Sequence, residues 1–242
     1  MDNQEIKLNE FLWRITIRRI INEGNADKEY KNIMDNDKLL EKICVTPKLL
    51  TVENNNKSSD INQILDFLNK WLCRISVKDF QNCKLKESLI DINNNFNLKN
   101  ETVLNVNLGK HKEKIIETYK RVVVLKHVGS TTTSKILHII NPKLYAPWDK
   151  KIADSLGLKR DAQGYIEYIE VVKENVNYLI NQANNEGIDD LNKSIKVNFN
   201  LENYYFYPKF VDEYYHSKYT RMYEVNRLNE MFPDIVKNFK MS

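Results

Sequence analysis

Glycine and proline are scarce in this chain, six and five among 242 residues. With so few breakers, and apolar residues three and four apart in most segments, the chain reads as mainly helical, with few strand signals. Cysteine is scarcer still. Cys44, Cys73 and Cys83 are odd in number and lack CxxC spacing, which argues against a disulfide framework or a zinc site and assigns them to a protein interior in a reducing compartment. No apolar run is long enough to cross a bilayer, and Met1–Glu10 lacks the charged start and apolar stretch of a secretory signal, so a cytoplasmic location is expected. His111, His127 and His216 are too scattered for a metal set. Charge of one sign is also lacking in excess: the net charge is +4, which permits a polyanionic partner without demanding one.

What is present is a succession of amphipathic segments in a chain long enough to bury a core without staples. Phe11, Leu12, Ile15, Ile17 and Ile20 predict a first helix. Asp60–Arg74 predicts another, with Ile61, Ile64, Leu65, Leu68, Trp71 and Leu72 on one stripe, and the polar, proline-containing stretch Val45–Ser59 connects the two. Further helices are expected over Lys84–Ile92, His111–Leu125, Lys150–Leu156, Gly164–Asn181 and Asp189–Lys196. The run Val122–Leu125 is expected to be buried. Ile166, Ile169, Val172, Val176 and Leu179 point inward from the long helix, and Tyr204–Tyr223 is crowded with aromatics. No internal repeat or low-complexity linker appears. The expected architecture is therefore one unit over 1–242: an N-terminal lobe 1–105, a central segment 110–157 and C-terminal helices 158–242, two helical lobes with a cleft at the centre.

The central segment carries the chemistry. Val128-Gly129 predicts a turn opening a helix over Thr131–Ile140, with Ser130 or Thr131 as its cap. Bare amides and the positive dipole end make such a helix start a phosphate site that reads no sequence. Asn141-Pro142 stops the helix, and twenty positions separate Gly129 from Asp149, enough for about three turns and a loop back toward the helix start. A gripped phosphate and a carboxylate become neighbours.

These residues resemble the helix-hairpin-helix DNA glycosylases, whose signature is a Leu-Pro-Gly-Val-Gly hairpin, a helix, a short loop and an essential aspartate. The match is Leu125-Lys-His-Val-Gly129 and Asp149, clear over Val122–Leu156. Lys126 and His127 replace the usual Pro-Gly, so the turn must tolerate a side chain at His127. Thr131 stands where lyase-competent members carry a nucleophilic lysine. The resemblance implies a monofunctional enzyme that flips a damaged or modified base out of double-stranded DNA and hydrolyses its N-glycosidic bond with Asp149 and water, as a monomer without metal or cofactor. His127, Val128, Gly129, Ser130, Thr131 and Thr132 would hold DNA.

Other residues carry open alternatives. Asp149 is also a natural helix cap. Lys135, one turn beyond Thr131, faces either the sugar as an amine nucleophile or phosphate and solvent. Trp148 either walls a base pocket with Trp71 or fills the core, and Arg74 either reaches an orphaned base or makes a surface ion pair. His138 is a core histidine or a general base. The C-terminal tyrosines, interleaved with Lys209, Lys218, Arg221 and Arg227, are a stacking surface for nucleic acid or the core of the last helices. The function classes left standing are a glycosylase acting in repair or against modified phage DNA, a bifunctional glycosylase/lyase using Lys135, a non-catalytic DNA-binding module, and a helical protein-interaction domain.

Overall fold

The computed structural model describes residues 6–21, 68–69, 71, 73, 75, 85–95, 98–198, 206–220, 226–227 and 230. Among them the chain is mainly α, with eight bounded α-helices, one π-helical turn and no strand. In order they are α1 (Leu8–Ile21), α2 (Leu85–Asn95), α3 (Leu108–Val123), α4 (Ser130–Ile140), α5 (Lys150–Ser155), α6 (Ala162–Asn185), α7 (Leu191–Asn198) and α8 (Tyr207–Tyr215), which runs into the π-helical turn His216–Thr220. Arg74, the connector Val45–Ser59 and most of the helix expected over Asp60–Arg74 lie outside the described residues. Among those described, no helix is long and apolar enough to cross a membrane.

Helix α6 is the spine. The Asp161 carboxylate accepts the Gly164 N–H at 2.9 Å and so caps its first turn. Ile166, Ile169, Val172, Val176 and Leu179 are all buried, as their spacing predicts, and Tyr165 and Tyr168 join them. This stripe packs against α3, α8 and α1. Helix α3 answers with Ile115, Tyr119 and Val122, and its far side receives α2 and α4.

Helix α1 joins the C-terminal helices: it packs on α8, the π-helical turn and α6, whereas α2 packs on α3. Gln182 of α6 clasps the start of α1, its Oε1 accepting from the Leu8 N–H at 3.2 Å and its Nε2 donating to the Ile6 carbonyl at 2.8 Å. Helix α1 thus packs on elements drawn from residues 158–242. The expected buried run Val122–Leu125 is corrected. Val122 and Leu125 are inside, but Val124 is 76 % exposed, because α3 ends at Val123 and the chain swings its next residue outward.

Gly164 sits where the first turn of α6 crosses the loop before it, and a Cβ there would collide with the backbone carbonyl of Lys159. Gly164→Ala should destabilise the fold by about 1–3 kcal/mol, read as a lower urea midpoint. An unchanged midpoint would contradict this packing.

Candidate functional site

Helices α3 and α4 are joined by a tight turn in which the Leu125 N–H donates to Val122 O at 3.1 Å and the Val128 N–H to Leu125 O at 3.0 Å. The left-handed residue of this turn is His127, with φ 64°. A β-carbon in that conformation costs roughly 1–2 kcal/mol, although histidine is among the residues enriched there. Gly129 is extended, at φ −92° and ψ 178°, and caps α4 without a side chain. A Cβ at Gly129 would meet nothing within 4 Å. Glycine is thus not required there by the fold, and its effect is to leave the first amides of α4 without a side-chain acceptor.

This corrects the expected cap, since Ser130 and Thr131 lie inside the helix. It also divides the six residues expected on DNA. His127 and Gly129 are exposed, and Ser130 and Thr131 are half-buried. Val128 and Thr132 are 6 % and 5 % exposed: Val128 pegs the turn into the core, and the Thr132 hydroxyl faces the Cys73 thiol. Neither side chain can contact DNA in this structure.

The chain returns from α4 through a buried, non-helical stretch. Asn141 starts the return, its amide donating to the carbonyls of Leu98 and Glu101 at 2.7 and 2.9 Å. Four successive carbonyls then each meet a side-chain donor. Tyr145 O lies 2.6 Å from His138 Nδ1, Ala146 O 3.0 Å from the Tyr165 hydroxyl, Pro147 O 2.9 Å from the Tyr168 hydroxyl, and Trp148 O 3.2 Å from Ser134 Oγ. Ser134 Oγ also accepts the Trp148 N–H at 3.1 Å. Burial pushes the Tyr165 and Tyr168 hydroxyls well above their ordinary proton affinity, so they remain donors. Because a carbonyl only accepts, His138 carries its proton on Nδ1.

Asp149 emerges from this stretch as the N-cap of α5. Its Oδ1 accepts the Ile152 N–H at 2.8 Å and its Oδ2 accepts the Thr220 hydroxyl at 2.9 Å. The capping alternative is therefore realised, and Thr220 adds a tertiary partner that nothing local to Asp149 announces. The loop does return to α4, with the Trp148 indole N–H reaching Ser130 O at 3.4 Å. Trp148 itself is 1 % exposed. It stacks on Tyr168 at 5.4 Å and meets the Tyr165 ring edge-on at 5.3 Å. It fills the core and offers no face to a base, which corrects its expected pocket role.

Lys135 is half-buried and packs against Trp71. Its amine donates to the Trp71 carbonyl at 2.5 Å and lies 5.0 Å from the Trp71 ring centroid. Desolvation lowers its proton affinity, opposed by the carboxylates of Asp212 and Asp149 and by the Cys73 thiol once that group ionises, so Lys135 and Asp149 belong to one electrostatic neighbourhood. Half-buried Trp71 remains beside them, and Arg74 is outside the described residues.

Three residues of this neighbourhood were not singled out as a cluster in the sequence. Lys209, Asp212 and Glu213 of α8 are 4 %, 8 % and 2 % exposed. The Lys209 amine lies 2.9 Å from Asp212 Oδ2 and 3.5 Å from Glu213 Oε1. The signal available was a K-x-x-D-E spacing, one helical face, but nothing local said that this face is inward. Tyr214 and Tyr215 are also buried, and Tyr215 stacks on Tyr219 at 5.6 Å. The described part of the tyrosine-rich segment is thus mostly core, the second of the two alternatives open for it; Tyr204, Tyr205 and Tyr223 lie outside the described residues. No three His, Cys, Asp or Glu side chains gather as metal ligands among the described residues.

Comparison with family models, curated proteins and solved structures gives no match. The functional reading therefore stands on the geometry and on the residues themselves.

Burial drives His138 down from 6.5 to about 4, against the pull of the Tyr145 carbonyl. Below about pH 6.5 the unfolded chain takes up a proton that the folded chain refuses, so stability present at neutral pH is lost as pH falls toward 4, by about 3 kcal/mol at the limit. His138→Asn keeps a donor for the carbonyl and cannot titrate. Urea unfolding between pH 7 and 4.5 should show a shallower pH dependence in that variant; equal slopes would refute the assignment.

Proposed function

We propose that the chain is a DNA N-glycosylase acting on a damaged or modified base. The observation that carries this reading is the return of Asp149, braced by Ile152 and Thr220, to the flank of a helix whose first amides Gly129 leaves without a side-chain cap. The exposed amides, with the dipole of α4, suit a DNA phosphate. His127 borders them. The target nucleotide leaves the stack, at a cost of a few kcal/mol that an unstable pair reduces.

Cleavage breaks the C1′–N bond, and its electron pair departs with the base. The Asp149 carboxylate stabilises the positive charge that develops on the sugar and orients a water molecule toward C1′. The water forms the new C–O bond, and its proton passes through Asp149 to solvent or to the released base. The two hydrogen bonds to Asp149 fix its direction while leaving acceptor capacity on each oxygen. No metal or cofactor enters these steps. The product is an abasic site, which serves repair when the base is a lesion and attacks an invading genome when the base is one of that genome's modifications. The working unit is a monomer on double-stranded DNA.

A second reading, glycosylase with lyase activity, is favoured by one observation: the Lys135 amine is drawn in against Trp71, 2.5 Å from its carbonyl and 5.0 Å from its ring centroid, where desolvation lowers its proton affinity. Amine attack at C1′ would expel the base with its bonding electrons, and breaking of the C1′–O4′ bond would then give the imine; with a preformed abasic aldehyde the same amine gives it with loss of water. A non-catalytic DNA-binding module is distinguished from both by the variants at Asp149.

Asparagine caps helices about as well as aspartate, whereas alanine costs about 1 kcal/mol. Asp149→Asn should therefore keep the parent's urea midpoint and DNA affinity while base release, read by mass spectrometry on duplexes carrying lesions or natural modifications, falls roughly a hundredfold or more. Asp149→Ala should lose both stability and activity. Base release at the parent rate in the Asn variant would eliminate the catalytic role.

Gly129 separates fold from binding in the other direction. Gly129→Ser places a Cβ in open space and supplies a capping oxygen, so stability should hold or rise by a few tenths of a kcal/mol. The same oxygen occupies an amide meant for phosphate, so duplex affinity should fall with no change in its salt slope, since no charge is removed. Unaltered affinity would argue against phosphate binding at this turn.

A further inference from the structure

Buried charge marks a part of the molecule that the glycosylase reading leaves unused. The Trp71 ring has two ammonium groups near it, Lys135 Nζ at 5.0 Å and Lys209 Nζ at 5.2 Å from its centroid, and the His138 ring meets it edge-on at 6.1 Å. Lys209 in turn is held by Asp212 and Glu213, one turn further along α8. Burial alone would raise the Asp212 carboxyl, but Lys209, with His216 and Lys135, outweighs it and keeps it ionised. Replacing such a cluster by packed apolar residues is often neutral or stabilising. Its presence beside Asp149 and Lys135 therefore calls for a role other than stability.

We propose that Lys209, Asp212 and Glu213 are positioning residues for Lys135, holding Trp71 beneath its amine and setting the charge that this amine carries next to Asp149. Counted with the Lys135 ammonium, the cluster has two lysines and two carboxylates. The inference rests on the reading of Lys135 as part of the site. Every charged or titratable group facing the amine has a sign in this balance. Asp212 from α8 and Asp149 from the head of α5 favour the ammonium, as does Cys73 from the Trp71 segment once its thiol, pushed up by burial, ionises; desolvation and Lys209 favour the free amine. His138, on the same helix as Lys135, is held neutral by burial and adds no charge near neutral pH.

The sign structure gives a test that a purely structural cluster would not pass. Asp212→Asn removes a charge that favours the ammonium and leaves Lys209 less opposed, so the Lys135 titration should move to lower pH. The double variant Lys209→Gln/Glu213→Gln removes one charge of each sign, preserves the balance of the interior, and leaves Asp212 facing Lys135 unshared. Its titration should move to higher pH. Full-length protein labelled with 13C at the lysine ε carbon, with the Lys135 resonance assigned by its loss in Lys135→Gln, reports the midpoint directly, and circular dichroism confirms folding. The chemical readout is borohydride trapping on a duplex with a preformed abasic site, which needs no base release. The pH for half-maximal adduct should follow the NMR midpoint in both variants.

Midpoints that move in the same direction, or not at all, overturn the proposal. So does an adduct profile that stays in place while the midpoints move. Complete absence of adduct in the parent removes the imine reading of Lys135, and the opposed NMR shifts, measured without DNA, still decide the positioning role. Should the Asp212 variant fail to fold, the charge-balanced double variant carries the test alone, and a downward or unmoved midpoint in it counts against the proposal.

Discussion

The site depends on how a short piece of buried, irregular backbone is kept supplied with hydrogen-bond donors. Residues 145–148 are neither helix nor strand, and all four are buried, so no neighbouring strand and no water surface satisfies their carbonyls. His138 and Ser134 from α4 and Tyr165 and Tyr168 from α6 do so, one carbonyl each. An unmet buried carbonyl costs about 1–3 kcal/mol, so these four side chains decide where the segment runs. Asp149 follows immediately after it. Its placement is therefore a property of α4 and α6 together, and the Thr220 hydroxyl adds the end of the π-helical turn as a third support.

The aromatic residues serve the same end from the apolar side. Trp148 sits between Tyr165 and Tyr168, and Tyr168 continues to Tyr215. Each tyrosine that donates a hydroxyl to the loop also contributes a ring to the core, so polar satisfaction and packing are carried by the same side chains. Burial keeps those hydroxyls protonated, which ties the donor pattern to the dryness of the interior. The cost of a buried neutral histidine is accepted in the same place, because its ring donor serves the first of the four carbonyls.

The turn before α4 illustrates a different economy. Its left-handed position is filled by His127, where glycine would be free of strain, while the nearby Gly129 has an ordinary extended backbone. Sterics alone would have arranged these the other way round. A side chain at 127 and none at 129 puts an exposed imidazole beside amides that no side chain caps. The charged residues of α8 present a similar mismatch between stability and content, since a helix buried over Pro208–Tyr215 gains little from two carboxylates and a lysine.

Much of the helical content was legible along the chain. The inward stripe of α6, the stop at Asn141-Pro142 and the distance from Gly129 to Asp149 are local or periodic features, and periodicity survives in one dimension. Side-chain direction at helix ends and inside the core does not. Lys135 reads as facing either the sugar, or phosphate and solvent, until Trp71, sixty-four residues earlier, supplies the carbonyl to which its amine donates. Trp148 reads as a pocket wall until two tyrosines close over it. The inward face of Lys209, Asp212 and Glu213 was hidden because charge normally marks the solvent side of a helix, and only packing of α8 against α1 and α6 reverses that rule. The sequence by itself determined the helices, their stops and the interval that brings a carboxylate back toward the start of α4. The tertiary structure alone decided which donors hold that carboxylate and which charges surround the nearby amine, because those partners come from distant segments and are selected by burial, which no local pattern records.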